Sequence, residues 1–286
     1  MAEYKQVEGF EFKDIIYEKK PGVARITINR PEAYNAFTTE TQRELIKALE
    51  DAASDDAIGV VVLTGAGDKA FCTGGDVKEA KVGYRKGLLG LDHRVKVLIR
   101  EMPKPVIAAV NGYAIGGGQV YQQLCDLTIA SENAVFGQAG PMVGSFDSGM
   151  GALDLMWVLG EKRAKEMWYL CRRYSAEEAL EMGLVNKIVS PDKLEEEVDK
   201  WCDEILEKSP SAISALKASF NAATAYMQGL EILAFQDLWR YYATEEAEHW
   251  KKSFWGKKKP DWRRFRRKEI FSGVYEEEKV EGSKSG

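Results

Sequence analysis

Up to about residue 150, short apolar runs alternate with amphipathic stretches; beyond it, only helical periodicity remains. VARITINRP (23–31) alternates and stops at a proline, which cannot donate to a ladder, and so predicts a strand. TQRELIKALEDAAS (41–54) puts Leu45, Ile46 and Leu49 on one helical face. IGVVVLTG (58–65), KPVIAAVNG (104–112) and CDLTIAS (125–131) are near-continuous apolar runs, as in strands covered on both faces. This order predicts repeated β–α units with right-handed crossovers, an α/β class. From about Gly151, GEKRAKEMWYLC, SAEEALEMG, LEEEVDKWCDEILEKSP and the long SAISALKASFNAATAYMQGLEILAFQDLWRYYA all follow the 3.6-residue period, with Ser175 and Glu178 spaced as a capping box. We expect a core over 1–200, a helical region over 201–270 and a disordered tail over 271–286, where a basic run gives way to an acidic one.

Composition narrows this only slightly. The chain has 286 residues and is 45% hydrophobic, enough for one large domain or one domain with a helical appendage. A formal net charge of −5 argues against nucleic acid as a partner, despite the basic, aromatic-bearing GKKKPDWRRFRRKE (256–269). The four cysteines form no Cys-x-x-Cys pair and no signal peptide is evident, so reduced thiols in a cytoplasm are expected. The longest apolar runs are too short to span a bilayer. With only His93 and His249, a histidine-rich metal site is disfavoured, and a Ser–His–Asp triad would depend on one of these two.

The chemistry is suggested by glycine. AFCTGGDV (70–77) follows a strand-like run, and GYAIGGGQV (112–120) follows another before a helical stretch. Glycines there let backbone N–H groups reach a cavity that a side chain would block, although either stretch alone reads equally as a tight turn. GGGQVY does not fit the dinucleotide fingerprint, and no Gly-Lys-Ser/Thr follows as in a phosphate loop. Two such loops together can supply a pair of donors to one oxyanion, each worth roughly 3–4 kcal/mol in a transition state.

NRPEAYNAF, AFCTGGD, NGYAIGGG, CDLTIAS and FGQAGPMVGSFDSG, taken in combination over roughly residues 10 to 270, resemble the crotonase (enoyl-CoA hydratase/isomerase) superfamily. The resemblance implies stacked β–β–α units, a C-terminal helical trimerisation region, and a homotrimer or a hexamer made of two trimers. It also implies an acyl-CoA substrate whose thioester oxygen sits between the N–H groups of Gly75 and Gly117. Coenzyme A would enter as part of the substrate, with no tightly bound cofactor and no metal, nucleic acid or membrane partner. The two glutamates that the family's hydratases use would fall at Val120 and Gly140, so the usual hydration route is disfavoured.

The segment VGSFDSG, with FGQAGP and KEMWYLCRRYSAEEALEMGLVN, resembles a narrower branch holding 1,4-dihydroxy-2-naphthoyl-CoA synthase, a ring-closing enzyme, and 2-ketocyclohexanecarboxyl-CoA hydrolase, a ring-opening one. Tyr34, Val77, Ala80 and Ala139 depart from the synthase, and Val77 departs from the hydrolase too. The stretches AFCTGGD, YAIGGG and KASFNAATA lean toward the hydrolase. On this resemblance Asp147 is a general acid/base whose apolar pocket raises its pKa, although an aspartate at that place is ordinarily a turn or cap residue. Ser145 either bonds the ring ketone or closes the turn, and Tyr242 matches a catalytic tyrosine that the branch donates from a neighbouring subunit, with helix packing as its plainer role. Tyr84, a further catalytic candidate, lies in the glycine-bearing KVGYRKGLLG, which reads equally as a lid or as a loop on which a surface tyrosine packs. Tyr34, Ala36, Thr73, Gly74, Asp76, Gln138, Gly140 and Trp168 would contact substrate or CoA, and Lys257 the CoA phosphates. In some synthases the pocket corresponding to Gln138, Gly140 and Trp168 holds bicarbonate. Ring opening is thus the expected function, with ring closure and non-catalytic acyl-CoA binding as alternatives.

Overall fold

The computed structural model describes residues 3–80 and 86–266. Among them, seven strands form one sheet in the order β1 (Lys5–Gln6), β2 (Ile15–Lys20), β3 (Gly22–Ile28), β4 (Ile58–Gly65), β6 (Val106–Val110), β8 (Leu127–Ser131) and β11 (Lys187–Val189). The first three are joined antiparallel, and β3 through β11 pair in parallel. A second sheet of four short strands runs β10 (Tyr174–Ser175), β9 (Val135–Gly137), β7 (Tyr113–Ile115) and β5 (Ala70–Cys72). The expected α/β class therefore holds.

The apolar runs are double-faced for a visible reason. Val61 and Leu63 of β4 point into the larger core with Leu45 and Leu49 of helix α1 (Thr39–Ser54). Val60 and Val62 point the other way, into a smaller core closed by Leu194, Val198 and Cys202 of helix α8 (Leu194–Leu206). A boundary at residue 200 would cut through α8, so this helix goes with the sheet it covers. After it come α9 (Pro210–Ala222), α10 (Tyr226–Tyr242) and α11 (Glu245–Trp255).

The sequence pattern predicts one helix across 211–243, and the chain breaks it between α9 and α10. The break carries no glycine or proline. Asn221 Nδ2 donates to the Arg100 carbonyl at 2.6 Å and the Arg100 guanidinium donates to Thr224, so contacts with helix α3 (Lys86–Glu101) turn the chain there. The capping box at Ser175 and Glu178 forms as its spacing predicts, opening α7 (Ala176–Glu181).

Strands β5 and β7 position the glycine loops. They are parallel neighbours, Ala70 beside Tyr113 and Cys72 beside Ala114, so their C-terminal ends emerge side by side. Thr73–Gly75 leaves β5 there and leads into α2 (Val77–Ala80), while Gly116 leaves β7 and opens α4 (Gly117–Leu124). Helix α5 (Met150–Leu159) packs on α4, and α6 (Glu161–Leu170) packs on α5. Among the described residues no helix is long and apolar enough to cross a membrane, and all four cysteines are free.

Candidate active site

Gly74 has φ +88°, and a Cβ there would lie 3.0 Å from the Gly117 nitrogen, so the two loops touch through bare backbone. At Gly118 a Cβ would collide with the carbonyl of Cys72. Phe37 N–H donates to the Gly74 carbonyl and Asp76 N–H donates to the Phe37 carbonyl, both at 2.9 Å, which brackets Gly75 in a parallel bridge. Successive N–H groups of extended backbone point to opposite sides, so the Gly75 N–H faces away from Phe37. Gly117 is the first residue of α4, where N–H groups lack intrahelical acceptors. Among the described residues neither N–H is engaged in a turn, loop or cap bond, and both glycines line one cavity of about 250 Å³. Such an arrangement can hold a negatively charged oxygen.

The facing wall is polar. Ser145 Oγ and Tyr242 Oη share a hydrogen bond of 2.7 Å. Asp147 accepts from Gly151 N–H at 3.0 Å and from Lys96 Nζ at 2.6 Å. Lys96 also bonds Asp92 and Glu231, each at 2.8 Å. Deeper in the lining, Gln138 and Trp168 are buried, and neither the Gln138 amide atoms nor Trp168 Nε1 has a partner among the described residues. Unpaired buried groups of this kind suit a polar ligand atom.

Of the residues expected at the site, Gly74, Gly75, Gly117, Thr73, Ser145, Asp147, Gln138, Gly140, Trp168 and Tyr242 all line this cavity. Several expectations change. Asp147 does not sit in an apolar pocket: it is ion-paired with Lys96 inside a charged cluster. Tyr242 was expected from a neighbouring subunit, yet α10 of the same chain carries it to its own Ser145. Asp76 is committed to Arg30, at 2.9 Å, and caps Lys78 N–H, so it serves the loop and is not part of the lining.

Ala36, too, is outside the lining; it is buried, with its carbonyl accepting from Arg30. Tyr34 lies at a separate shallow groove with Gly67 and Lys69, its ring edge-on to Tyr113. Lys257 is exposed just past α11 and away from the cavity, and the lysine of this region that reaches the lining is Lys251. Tyr84 lies outside the described residues.

Lys96, Asp92 and Glu231 carry no motif and escape sequence reasoning. The available signal is that Asp92 and Lys96, spaced i and i+4, share the face of α3 that includes buried Ile99. Charges on a buried stripe ask for partners, but the partner carboxylates come from elsewhere in the chain.

The chain matches the enoyl-CoA hydratase/isomerase family over residues 18–265 and belongs to that family, which makes it a crotonase-family acyl-CoA enzyme. It is similar to the solved carnitinyl-CoA hydratase from Mycobacterium avium, at 30% identity and a TM-score of 0.80, over 88% of this chain and 98% of that one. An enoyl-CoA hydratase/isomerase from Xanthobacter autotrophicus Py2 is 32% identical with a TM-score of 0.77, over 85% and 93% of the two chains. An enoyl-CoA hydratase from Mycobacterium avium subsp. paratuberculosis K-10 is 29% identical with a TM-score of 0.79, over 88% and 99%.

Proposed function

We propose that the protein opens the ring of a cyclic β-ketoacyl-CoA by hydrolysis, with a substrate of the 2-ketocyclohexanecarboxyl-CoA type. One observation carries this reading. The cavity keeps the two glycine N–H groups but has Val120 and Gly140 where a hydratase would place its glutamates, and it offers Asp147, Ser145 and Tyr242 instead. Nor could Gly140 simply regain a carboxylate, since a Cβ there would lie 2.8 Å from the Ser145 carbonyl oxygen.

The thioester oxygen accepts from Gly75 and Gly117. Asp147 takes a proton from water as the water oxygen bonds to the ring ketone carbon, whose own oxygen accepts from the Ser145–Tyr242 hydroxyl pair. The adduct collapses, and the bond between that carbon and the α-carbon breaks. Its electron pair enters a thioester enolate, which the two amides stabilise. Asp147 then returns the proton to the α-carbon. One water is consumed, and the new carboxylic acid releases its proton to solvent. Coenzyme A takes part only as a piece of the substrate.

Ring closure is the second reading, favoured by the unpaired atoms of Gln138 and Trp168. The Gln138 Nε2 and Trp168 Nε1 donors fit a small oxyanion such as bicarbonate, which supplies a base when bound, although Ala139 brings no hydroxyl to it. Separate incubation with 2-ketocyclohexanecarboxyl-CoA and o-succinylbenzoyl-CoA, with products read by mass, distinguishes the readings. Gain of one water on the first supports ring opening, and loss of one water on the second supports ring closure. Binding of both without either product leaves a non-catalytic acyl-CoA-binding protein.

The same reading includes a homo-oligomer, a trimer or a hexamer. Leu216 and Phe220 on α9, with Tyr226, Leu230 and Leu233 on α10, leave apolar faces in solvent, and Phe220 is 74% exposed. Sedimentation of Phe220→Asp should show a smaller assembly than the parent chain.

A further inference from the structure

The Lys96 ammonium is almost fully enclosed, at 2% side-chain exposure, and each of its three bonds goes to a different carboxylate. Phe235 covers it on another side, its ring centre 5.3 Å away. Oxygens of Asp92, Asp147 and Glu231 all lie within 4.8 Å of one another. With every carboxylate ionised, three negative charges and one positive would leave a net −2 in a largely buried space. Like charges so close do not all ionise independently, and such groups titrate as a set. The surroundings offer little further charge. Tyr121 on α4 and Gln42 on α1 donate to Asp92, at 2.8 and 3.1 Å, and Met150 N–H donates to Glu231. His93 on α3 stands edge-on to Phe235, and burial holds its pKa down, toward the neutral ring. The three carboxylates differ in access. Glu231 is 1% exposed, Asp92 14% and Asp147 20%, so Asp147 is the most open of the set.

We propose that Lys96 and Glu231 are positioning residues for Asp147: the ammonium gathers three carboxylates into one titrating unit that retains a single proton and exchanges it with the cavity through Asp147. This rests on the reading of Asp147 as the acid and base of the reaction above. Two directions agree with it. Burial first, with the Asp147 charge adding and Lys96 opposing, pushes the Glu231 carboxyl above its ordinary value. Lys96 stays charged, because its carboxylates, Asp147 foremost, outweigh the burial that disfavours the ammonium. The proton that Asp147 takes from water thus enters a shared store, and the enolate draws one back from it, so no net proton is gained or lost.

The test begins with the folded protein alone. Carboxyl-carbon NMR of 13C-labelled protein, with signals assigned by their loss in Asp147→Asn and Glu231→Gln, follows each group through pH. Glu231→Gln keeps an acceptor for Met150 N–H and removes one charge, so Asp147 should then titrate lower by about one pH unit or more, and in a simpler curve. The acid limb of the kcat profile should move by the same amount with KM unchanged. Lys96→Gln should move the limb the opposite way. Should that variant unfold, Lys96→Gln/Glu231→Gln, an amide pair in place of the ion pair, should fold and give a limb above that of Glu231→Gln. An Asp147 titration unaffected by Glu231→Gln overturns the proposal. Coupled titration without turnover of either ring thioester upholds the coupled unit and rejects the reading of the reaction.

Discussion

Two walls of one cavity are built in opposite ways. The glycine wall is main chain, formed where β5 and β7 end side by side and 42 residues separate its two amides. The charged wall is side chains, and its closest ion pairs join α3 to the loop at Asp147 and to α10, across separations of 51 and 135 residues. The first needs only residues without a Cβ at points of close approach. The second needs four groups brought together by packing, each costly to bury without the others. A backbone site is therefore tolerant of side-chain chemistry around it, whereas removing one member of a charged cluster changes the charge that every other member experiences.

The strongest way to separate the walls is to remove the proposed acid–base group. Asp147→Asn should lower kcat by about 10²- to 10⁴-fold while thioester binding, followed by calorimetry, stays within a few-fold. An equal loss of binding would assign Asp147 to the architecture instead. Next comes the glycine wall. Gly75→Pro deletes the N–H and should reduce kcat by about 10²- to 10³-fold. Gly75→Ala keeps the N–H, and its Cβ would meet Phe37 at an ordinary 3.6 Å, so its kcat should stay near that of the parent. If alanine harms as much as proline, the position matters for packing and not as a donor.

A smaller effect is expected at Tyr242→Phe, which strips the partner from Ser145. Loss of one such bond is worth about 0.5–1.5 kcal/mol, a few-fold to about tenfold in kcat, with thermal stability little changed in calorimetric scans. The last concerns a pair outside the cavity lining. Asp154 meets Arg100 at 2.8 Å, yet burial dominates and pushes its carboxyl up to about 6. The folded state then holds this proton more tightly than the unfolded state does. Its stabilising contribution is full below about pH 4 and lost as pH rises through about 6. In urea titrations Asp154→Asn should flatten that slope; an unchanged slope would mean that Arg100 governs the site.

The same contrast explains what could be read in advance. The two-faced runs of β4, β6 and β8 announce themselves because nearly every residue of a doubly covered strand is apolar. The capping box at Ser175 is visible because its partners are three residues apart. By contrast, the break between α9 and α10 is invisible, since side-chain contacts with Arg100 impose it and no helix-breaking residue marks it. The surroundings of Asp147 were misjudged for a related reason: VGSFDSG shows apolar and small neighbours, while the neighbours that matter are Lys96 and Glu231.

By itself, then, the order of residues determined the alternation of strands and helices, the two glycine loops and the absence of a carboxylate at Val120 and Gly140, because these depend on local conformation or on which atoms a position possesses. Only the tertiary structure decided that the loops share a cavity, that Tyr242 reaches Ser145 of its own chain, and that Lys96 binds three carboxylates together. Those are distances between groups far apart along the chain, and they come into being when the helices pack.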